Sequence, residues 1–238
     1  MPQEILGVIP ARYASSRFPG KPLVPIGGKP MLQHVWERAG RSRLLNRLVV
    51  ATDDERILRA AKEFGASARM TDPAHRSGTD RSAEVAAGDA ASIVVNIQGD
   101  EPLIEPEAID AAVGGLIESS QTPMCTLGKR IEGTCELENP NVVKVVADLT
   151  GNALYFSRSA IPFVRSGRAA HFKHIGLYVY RREFLLGYSS LPVGPLEEAE
   201  KLEQLRALEN GYKIRVVETM YDSLGVDTPE DLERVRAL

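Results

Sequence analysis

A basic loop follows the first apolar run of the chain. Between residues 5 and 30 there is no acidic side chain, whereas four are cationic: Arg12, Arg17, Lys21 and Lys29. Glycines in this stretch allow close approach of the backbone to a ligand, and the cations match phosphate oxygens. Open α/β sheets bind ligands where their strands end, and this loop follows a predicted strand. The pattern indicates a polyphosphate site that is not a P-loop, with a solvated basic loop as the alternative.

Two acidic segments are candidates for a metal site. Asp100 follows the apolar run 93–97, which places it at the carboxyl edge of the predicted sheet. Nucleotide-bound Mg²⁺ is held by one or two carboxylates together with waters and phosphate oxygens. Asp227 precedes Thr228 and Pro229, where a turn or a helix cap is the simplest interpretation. The spacing of Thr228 and Asp231 predicts a capping box at the start of the last helix. From the residues alone, a strand-end turn at Asp100 and a cap at Asp227 stay open as alternatives.

The segment 75–81 (HRSGTDR) lies between a predicted strand and a predicted helix. Ser77 and Thr79 can cap that helix, and its first main-chain N–H groups can donate to an anion or a carbonyl oxygen. A plain helix cap is the alternative interpretation of this segment.

Several polar residues later in the chain are candidates for binding a substrate, and most of them also have a simpler structural explanation. Arg158 could bind a carboxylate through two parallel hydrogen bonds. A lone histidine such as His174 is more often structural than catalytic. Glu203 and Gln204 lie off the leucine face of a predicted helix, so a solvated helix surface is the default interpretation of both.

Short apolar runs alternate with segments of helical period, which predicts a mostly parallel α/β sheet covered on both faces. The middle of the chain contains hairpin signals instead. We therefore expect one domain over 1–238, with a small antiparallel lobe inserted at about 124–194. The predicted strands are 5–11, 48–52, 66–70, 93–97, 124–131, 142–147, 152–157, 175–180 and 213–219, and the main predicted helices are 31–39, 55–64, 80–87, 106–117, 195–210 and 228–238.

Composition narrows the class of protein. The chain has 238 residues, 29 basic and 32 acidic side chains, and a net charge of −3. A duplex nucleic-acid binder is more often strongly basic, and no stretch of eighteen residues lacks a charge, which argues against membrane insertion. Cys125 and Cys135 form no metal or redox spacing, and the start lacks signal-peptide features. These features favour a cytoplasmic protein.

Several motifs together resemble one family, the sugar-acid cytidylyltransferases, and within it the branch that acts on 3-deoxy-D-manno-octulosonate (Kdo). The resemblance is strongest in the basic loop, where a continuous stretch of residues agrees. The motifs are PARYASSRFPGKPL at 10–23, GGKPMLQHVWERA at 27–39, HRSGTDR at 75–81, QGDEP at 98–102, YFSR at 155–158, KHIG at 173–176, LEQLR at 202–206 and VDTPEDLERV at 226–235. Lys173 replaces the family's arginine before the histidine, so the role of that position stays open.

The resemblance implies a Rossmann-like nucleotidyltransferase fold of the GT-A-like type and a set of site residues. It places Arg12, Lys21, Asp100 and Asp227 in catalysis, with both aspartates as ligands of Mg²⁺. It implies that CTP is bound by Arg12, Ser15, Arg17, Lys21, Ser77, Gly78, Thr79, Arg81 and Gln98. It implies that the sugar acid is bound by Gln98, Arg158, His174, Tyr178, Glu203 and Gln204.

The implied reaction is CTP + Kdo → CMP-Kdo + pyrophosphate, which activates Kdo for lipopolysaccharide. The resemblance also implies a homodimer formed through the late antiparallel lobe. One alternative is a cytidylyltransferase for a sialic acid or an amino analogue of Kdo, because the nucleotide loop would be the same. A remoter alternative is a non-catalytic nucleotide-binding protein, which should have lost Lys21 or one of the two aspartates. All three residues are present.

Overall fold

The computed structural model describes residues 3–14 and 18–238. Strands and helices alternate along most of the chain. The strands are β1 (Ile5–Ala11), β2 (Pro25–Ile26), β3 (Lys29–Pro30), β4 (Arg47–Thr52), β5 (Ala68–Met70), β6 (Ile93–Asn96), β7 (Met124–Arg130), β8 (Lys144–Ala147), β9 (Ala153–Ser157), β10 (Phe172–Arg181) and β11 (Ile214–Glu218). The helices are α1 (Met31–Ala39), α2 (Glu55–Glu63), α3 (Gly78–Ala87), α4 (Pro106–Glu118), α5 (Thr134–Glu138), α6 (Arg182–Tyr188), α7 (Pro195–Glu200), α8 (Leu205–Glu209) and α9 (Pro229–Arg236).

The central sheet has the strand order β11-β7-β10-β6-β1-β4-β5. Strands β6, β1, β4 and β5 pair in parallel, and so do β11 and β7, whereas β10 is antiparallel to both of its neighbours β6 and β7. Strands β8 and β9 lie off this path, with β8 antiparallel to both β10 and β9. The prediction of a mostly parallel α/β sheet with a small antiparallel part is confirmed. The prediction of one lobe bounded at about 124 and 194 stays a prediction.

Apolar runs in the sequence become strands buried on both faces, because helices cover both sides of the sheet. Every residue of β1 except Pro10 is buried, and so are all four residues of β6. Helices α3 and α9 begin with a capping box, in which Ser77 pairs with Asp80 and Thr228 pairs with Asp231. The box at Thr228 was predicted from its spacing. Among residues 3–14 and 18–238, no helix is long and apolar enough to cross a bilayer.

The prediction of one continuous helix over 195–210 is wrong, since the structure breaks this segment into α7 and α8 at Lys201, whose φ is +55°. After the break, α8 turns back along α7. The Arg206 guanidinium binds the Glu197 carboxylate at 2.6 and 2.8 Å, and the Glu209 carboxylate accepts two main-chain N–H bonds at the start of α7. In one straight helix, residues nine apart would be separated by about 13 Å along the axis. These charge-assisted bonds therefore require the break.

Helix α4 packs closely on the sheet through Gly115. A Cβ at this position would lie 2.3 Å from Val217 Cγ2 and 3.2 Å from Cys125 Sγ, whereas a Cβ at Gly114 would meet nothing within 4 Å. The close contact between α4 and strands β7 and β11 therefore depends on glycine at 115 and not on glycine at 114.

We expect Gly115→Ala to destabilise the protein by about 1–3 kcal/mol through overpacking. Its neighbour Gly114→Ala should be neutral or stabilising by up to about 1 kcal/mol, because alanine favours a helix more than glycine does. Urea unfolding of both variants measures the difference. Equal free energies of unfolding for the two variants would contradict the packing described for α4.

Candidate active site

Lys21 brings two distant carboxylates together at the carboxyl edge of the sheet. It begins a 3₁₀ turn that follows Gly20, whose φ of +73° suits glycine. The Lys21 Nζ atom lies 2.6 Å from Asp100 Oδ2 and 3.2 Å from Asp227 Oδ1. The Lys21 side chain is only 13% exposed, whereas Asp227 is half exposed, so this ion pair opens toward solvent on one side.

Main-chain contacts fix the positions of the two aspartates. The Val226 N–H donates to the Asp100 carbonyl oxygen at 2.9 Å, which ties the segment before α9 to the end of β6. A Cβ at Gly99 would lie 2.7 Å from the Pro10 carbonyl oxygen, so only glycine allows the end of β6 to approach the end of β1 this closely. Residues 127 positions apart in sequence thereby share one site, as the resemblance required.

The two carboxylates fit a divalent cation of the Mg²⁺ type. Both already converge on a single positive group, the Lys21 ammonium, and carboxylate oxygens are the ligands that Mg²⁺ takes. Within the described residues, no cluster of three or more histidine, cysteine or acidic side chains could hold a metal ion by itself. Such an ion would therefore need waters or phosphate oxygens to complete its coordination, as nucleotide-bound Mg²⁺ does.

A groove of about 400 Å³ surrounds this ion pair. Its lining includes three of the nine residues predicted to bind CTP, Arg12, Lys21 and Gln98, together with both predicted metal ligands, Asp100 and Asp227. The Arg12 guanidinium donates to the Arg76 carbonyl oxygen at 2.5 Å, which joins the basic loop to the segment 75–81. The predicted nucleotide contacts Ser15 and Arg17 lie outside the described residues.

Segment 75–81 packs against the strand that precedes the basic loop. A Cβ at Gly78 would lie 3.3 Å from Pro10 Cγ, so α3 begins directly beside the end of β1. The Thr79 hydroxyl is buried and donates to Glu203 Oε2 at 3.3 Å. The structure therefore places Gly78 next to the groove that holds Lys21, whereas Ser77 and Thr79 lie beside Glu203.

Arg81 is a correction to the predicted nucleotide contacts. Its side chain is 0% exposed, and its guanidinium pairs with the Asp53 carboxylate at 2.8 Å and with the Thr71 hydroxyl. A side chain enclosed in this way does not reach a ligand. Instead, Arg81 joins α3 to the ends of β4 and β5, which fixes the helix that Ser77 caps. The sequence shows an arginine in the motif but not its partner, 28 residues away.

A second cavity, of about 790 Å³, adjoins the ion pair on its other side. Asp100 and Asp227 belong to its lining, together with Glu101, Lys173 and His174. Gln98 donates to the Gly176 carbonyl oxygen at 2.9 Å, which connects the groove to this cavity. Gln98 was predicted to contact both nucleotide and sugar, and it lies where the two spaces meet.

Aromatic rings surround His174 in this part of the molecule. Its ring centroid lies 5.0 Å from that of Phe156 and 5.3 Å from that of Tyr178, and its Nε2 is 3.0 Å from the Thr126 hydroxyl. Burial lowers the pKa of His174 to about 3, because the imidazolium would lose its contact with water. His174 is therefore neutral near pH 7 and acts as a hydrogen-bonding group rather than as a cation.

The remaining predicted sugar contacts do not all face the cavity of His174. Glu203 lines a separate cavity of about 850 Å³ together with Ser77 and Asp80, and burial raises the pKa of Glu203. Gln204 is buried, and its Nε2 has no hydrogen-bond partner in the described part of the chain. The Arg158 side chain is fixed by the end of α7, since its Nε donates to the Glu200 carbonyl oxygen at 2.8 Å.

Sequence reasoning missed several charged groups around the second cavity. Glu101 is buried beside Asp100, and burial first and the Asp100 charge next raise its pKa to about 7. The Tyr221 hydroxyl donates to it at 2.9 Å. Lys173, whose role was left open, binds both Glu136 and Asp222 at 2.5 Å. In the sequence, the position of Glu101 next to Asp100 is a signal for the raised pKa of Glu101. The bond of Tyr221 to Glu101 and the ion pairs of Lys173 join distant segments, so no local pattern indicates them.

Comparisons with known proteins show the family of this chain. A model of the cytidylyltransferase family matches residues 6–214. The chain therefore belongs to the cytidylyltransferase family, and it is a nucleotidyltransferase.

More specifically, the chain is similar to proteins named 3-deoxy-manno-octulosonate cytidylyltransferase. One from Solibacter usitatus is 65% identical over 100% of this chain and 95% of the relative, and one from Geobacter sulfurreducens is 56% identical over 97% of each. A solved CMP:2-keto-3-deoxy-manno-octonic acid synthetase complexed with CTP is 47% identical, with a TM-score of 0.95 over 98% of this chain and 97% of that chain. A cytidylyltransferase from Leptospira borgpetersenii, 20% identical with a TM-score of 0.68 over 99% of this chain and 86% of that chain, shares the fold. The family resemblance noted in the sequence is confirmed.

The lowered pKa of His174 has a consequence for stability. The unfolded chain binds a proton at this histidine near pH 6.5, whereas the folded chain does so only near pH 3. The free energy of unfolding should therefore fall as pH drops below 6.5, by about 2 kcal/mol from this group between pH 7 and pH 5. Urea unfolding of wild type and His174→Gln at both pH values measures it. A His174→Gln variant that keeps the full wild-type pH dependence would contradict this environment for the histidine.

Proposed function

We propose that this protein transfers CMP from CTP to Kdo, releasing pyrophosphate and giving CMP-Kdo. The observation that carries the proposal is the convergence of Lys21, Asp100 and Asp227 at the end of β1 and β6, in a groove lined by the basic loop. Cations for a triphosphate and carboxylates for its metal ion are thus in one place. The relatives named 3-deoxy-manno-octulosonate cytidylyltransferase support Kdo as the acceptor, and the solved relative complexed with CTP supports the donor.

In this mechanism the chain binds and orients two substrates, and the sugar hydroxyl attacks the α-phosphorus directly. Arg12 and Lys21 bind the triphosphate and stabilise the charge that develops on the leaving pyrophosphate. Asp100 and Asp227 would hold Mg²⁺, which supplies charge neutralisation at the phosphates and makes the attacking hydroxyl more acidic. Positioning and electrostatics account for most of the rate in such transfers, so no covalent intermediate with the protein is needed.

The sugar acid would occupy the cavity beside His174. Gln98 lies between this cavity and the groove, where it can contact both substrates. The neutral His174 and the nearby Tyr178 offer hydrogen bonds to hydroxyl groups but no positive charge. Lys173 lines this cavity too, but its ammonium is already paired with Glu136 and Asp222, so we assign the carboxylate of the sugar acid to Arg158. The buried Gln204 amide, whose Nε2 has no partner among the described residues, is a further donor for a sugar hydroxyl.

Pyrophosphate release by the purified protein tests the proposal. Reactions contain CTP and Mg²⁺ with Kdo, its 8-amino analogue or a sialic acid in parallel, and UTP and ATP replace CTP as controls. Release with CTP and Kdo alone is the expected result. Release with another acid would reassign the sugar pocket, and no release from folded protein with any acid would overturn the proposal.

We expect Asp100→Asn to lower kcat by about 100-fold or more while the fold is kept, because one preorganised charged group is lost from the site. The surface variant Glu118→Gln, which also removes one negative charge, should keep the wild-type kcat. Steady-state rates and circular dichroism spectra of the two variants provide the comparison. Near-normal turnover of Asp100→Asn would remove this carboxylate from the mechanism.

We also propose that the protein is a homodimer joined through its antiparallel part. Large apolar side chains are exposed there, including Leu154 and Phe163, and a cavity of about 510 Å³ beside them is lined by Val146, Leu154 and Phe172. Exposed apolar patches of this kind mark interfaces. The free thiols of Cys125 and Cys135 suit a reducing, cytoplasmic setting, where the product would supply activated Kdo for lipopolysaccharide.

Light scattering should give twice the chain mass of 26.0 kDa for the wild-type protein. Phe163→Glu should shift the protein toward the single-chain mass, since it places a charge in the apolar patch. Leu238→Glu alters an equally exposed apolar residue at the chain end and should leave the mass unchanged. A wild-type mass of one chain would refute the dimer.

A further inference from the structure

Lys144 is a buried lysine whose ammonium binds main-chain oxygens. Its side chain is 0% exposed, and its ammonium donates to two main-chain oxygens, that of Asn139 at 3.0 Å and that of Arg158 at 2.6 Å. In the part of the chain that the structure describes, no acidic group lies within ion-pair distance of it. Carrying an unpaired charge away from water costs free energy, and burial lowers the pKa of Lys144 accordingly. A role in function would explain why a lysine stands at this buried position.

The lysine belongs to a network that we call the Arg158 clamp, made of Lys144, Ser157, Arg158, Glu200 and the main-chain oxygens of 139 and 140. The Glu200 carboxylate accepts from the Ser157 hydroxyl at 2.6 Å and from the Arg158 N–H at 2.9 Å. The Arg158 guanidinium donates to the carbonyl oxygens of Glu200 and Pro140 at 2.8 and 3.0 Å. The clamp thus fixes both the main chain and the side chain of Arg158.

The charges of the Arg158 clamp do not balance. Lys144 and Arg158 are cationic, and Glu200 is the acidic group whose charge acts on Lys144. The sum over these three side chains is one positive charge, and the Lys144 side chain is fully buried, whereas Arg158 is half-buried. The guanidinium uses two of its five N–H donors on carbonyl oxygens, which leaves donors for a carboxylate. The clamp adjoins the cavity of His174, whose lining includes Asn139, Val142 and Val143.

We propose that Lys144 is a positioning residue for the sugar acid: it holds Arg158 in place beside the His174 cavity, and its charge adds to that of Arg158 in attracting the substrate carboxylate. This inference rests on the proposed function, in which Arg158 binds that carboxylate. Lys144 itself touches neither substrate. Its neighbour in the clamp, Glu200, opposes it electrostatically, because its negative charge weakens the same attraction.

Two variants test the sign of this effect. Lys144→Met removes the positive charge at similar volume, and it should raise the KM for Kdo about tenfold while the KM for CTP stays within about twofold. Glu200→Gln removes the negative charge, yet it can still accept from the Arg158 N–H and bond to the Ser157 hydroxyl. It should lower the KM for Kdo by about two- to threefold. In both variants kcat should change less than the KM for Kdo.

Pyrophosphate release at varied Kdo and varied CTP gives these constants, with circular dichroism as the check on folding. Equal rises in both KM values, an unchanged KM for Kdo in Lys144→Met, or a raised KM for Kdo in Glu200→Gln would overturn the inference. If Lys144→Met does not fold, the direction of the Glu200→Gln change decides alone. A wild-type protein inactive with every sugar acid would refute the proposed function instead. If the protein acts on the 8-amino analogue or on a sialic acid, the same two variants are measured with that acid, because it carries the same carboxylate.

Discussion

The ion pair of Lys21 with Asp100 and Asp227 is the interaction on which the site depends. It joins the basic loop after β1, the end of β6 and the segment before α9, at 2.6 and 3.2 Å. Each of these segments is held by the fold rather than by the ion pair alone. Val226 bonds to the Asp100 main chain, and Gly99 lets the end of β6 touch the end of β1. Two carboxylates are thereby kept close together at the sheet edge, which two like charges alone would resist.

Two adjoining spaces, the groove around Lys21 and the cavity around His174, make up the rest of the site. The groove around Lys21 is ionic and open, which suits a triphosphate. The cavity around His174 is lined by this neutral histidine together with ion-paired groups such as Lys173 and Asp222. A sugar acid has one charged group and many hydroxyls, and the proposed arrangement matches this: hydrogen-bonding groups near His174, and positive charge concentrated in the Arg158 clamp. Gln98 lies at the boundary, where the two substrates would meet.

Local patterns in the sequence predicted much of the fold. Apolar runs predicted the buried strands, and the spacing of Thr228 and Asp231 predicted the capping box of α9, because both depend on neighbours in sequence. Long-range pairs could not be predicted in this way. The break at Lys201 depends on Arg206 and Glu209 reaching back to α7, and the burial of Arg81 depends on Asp53. For the site, the motifs named Lys21 and both aspartates, yet no single pattern indicated Lys144 or the environment of Glu101.

A crystal structure of the protein with CTP and Mn²⁺ in place of Mg²⁺ tests the central claim most directly, because anomalous scattering locates the metal ion. The account predicts an anomalous peak in contact with carboxylate oxygens of both Asp100 and Asp227, with the Lys21 ammonium moved onto the triphosphate. A peak bound elsewhere, or a Lys21 that still joins the two carboxylates while CTP is bound, would contradict it.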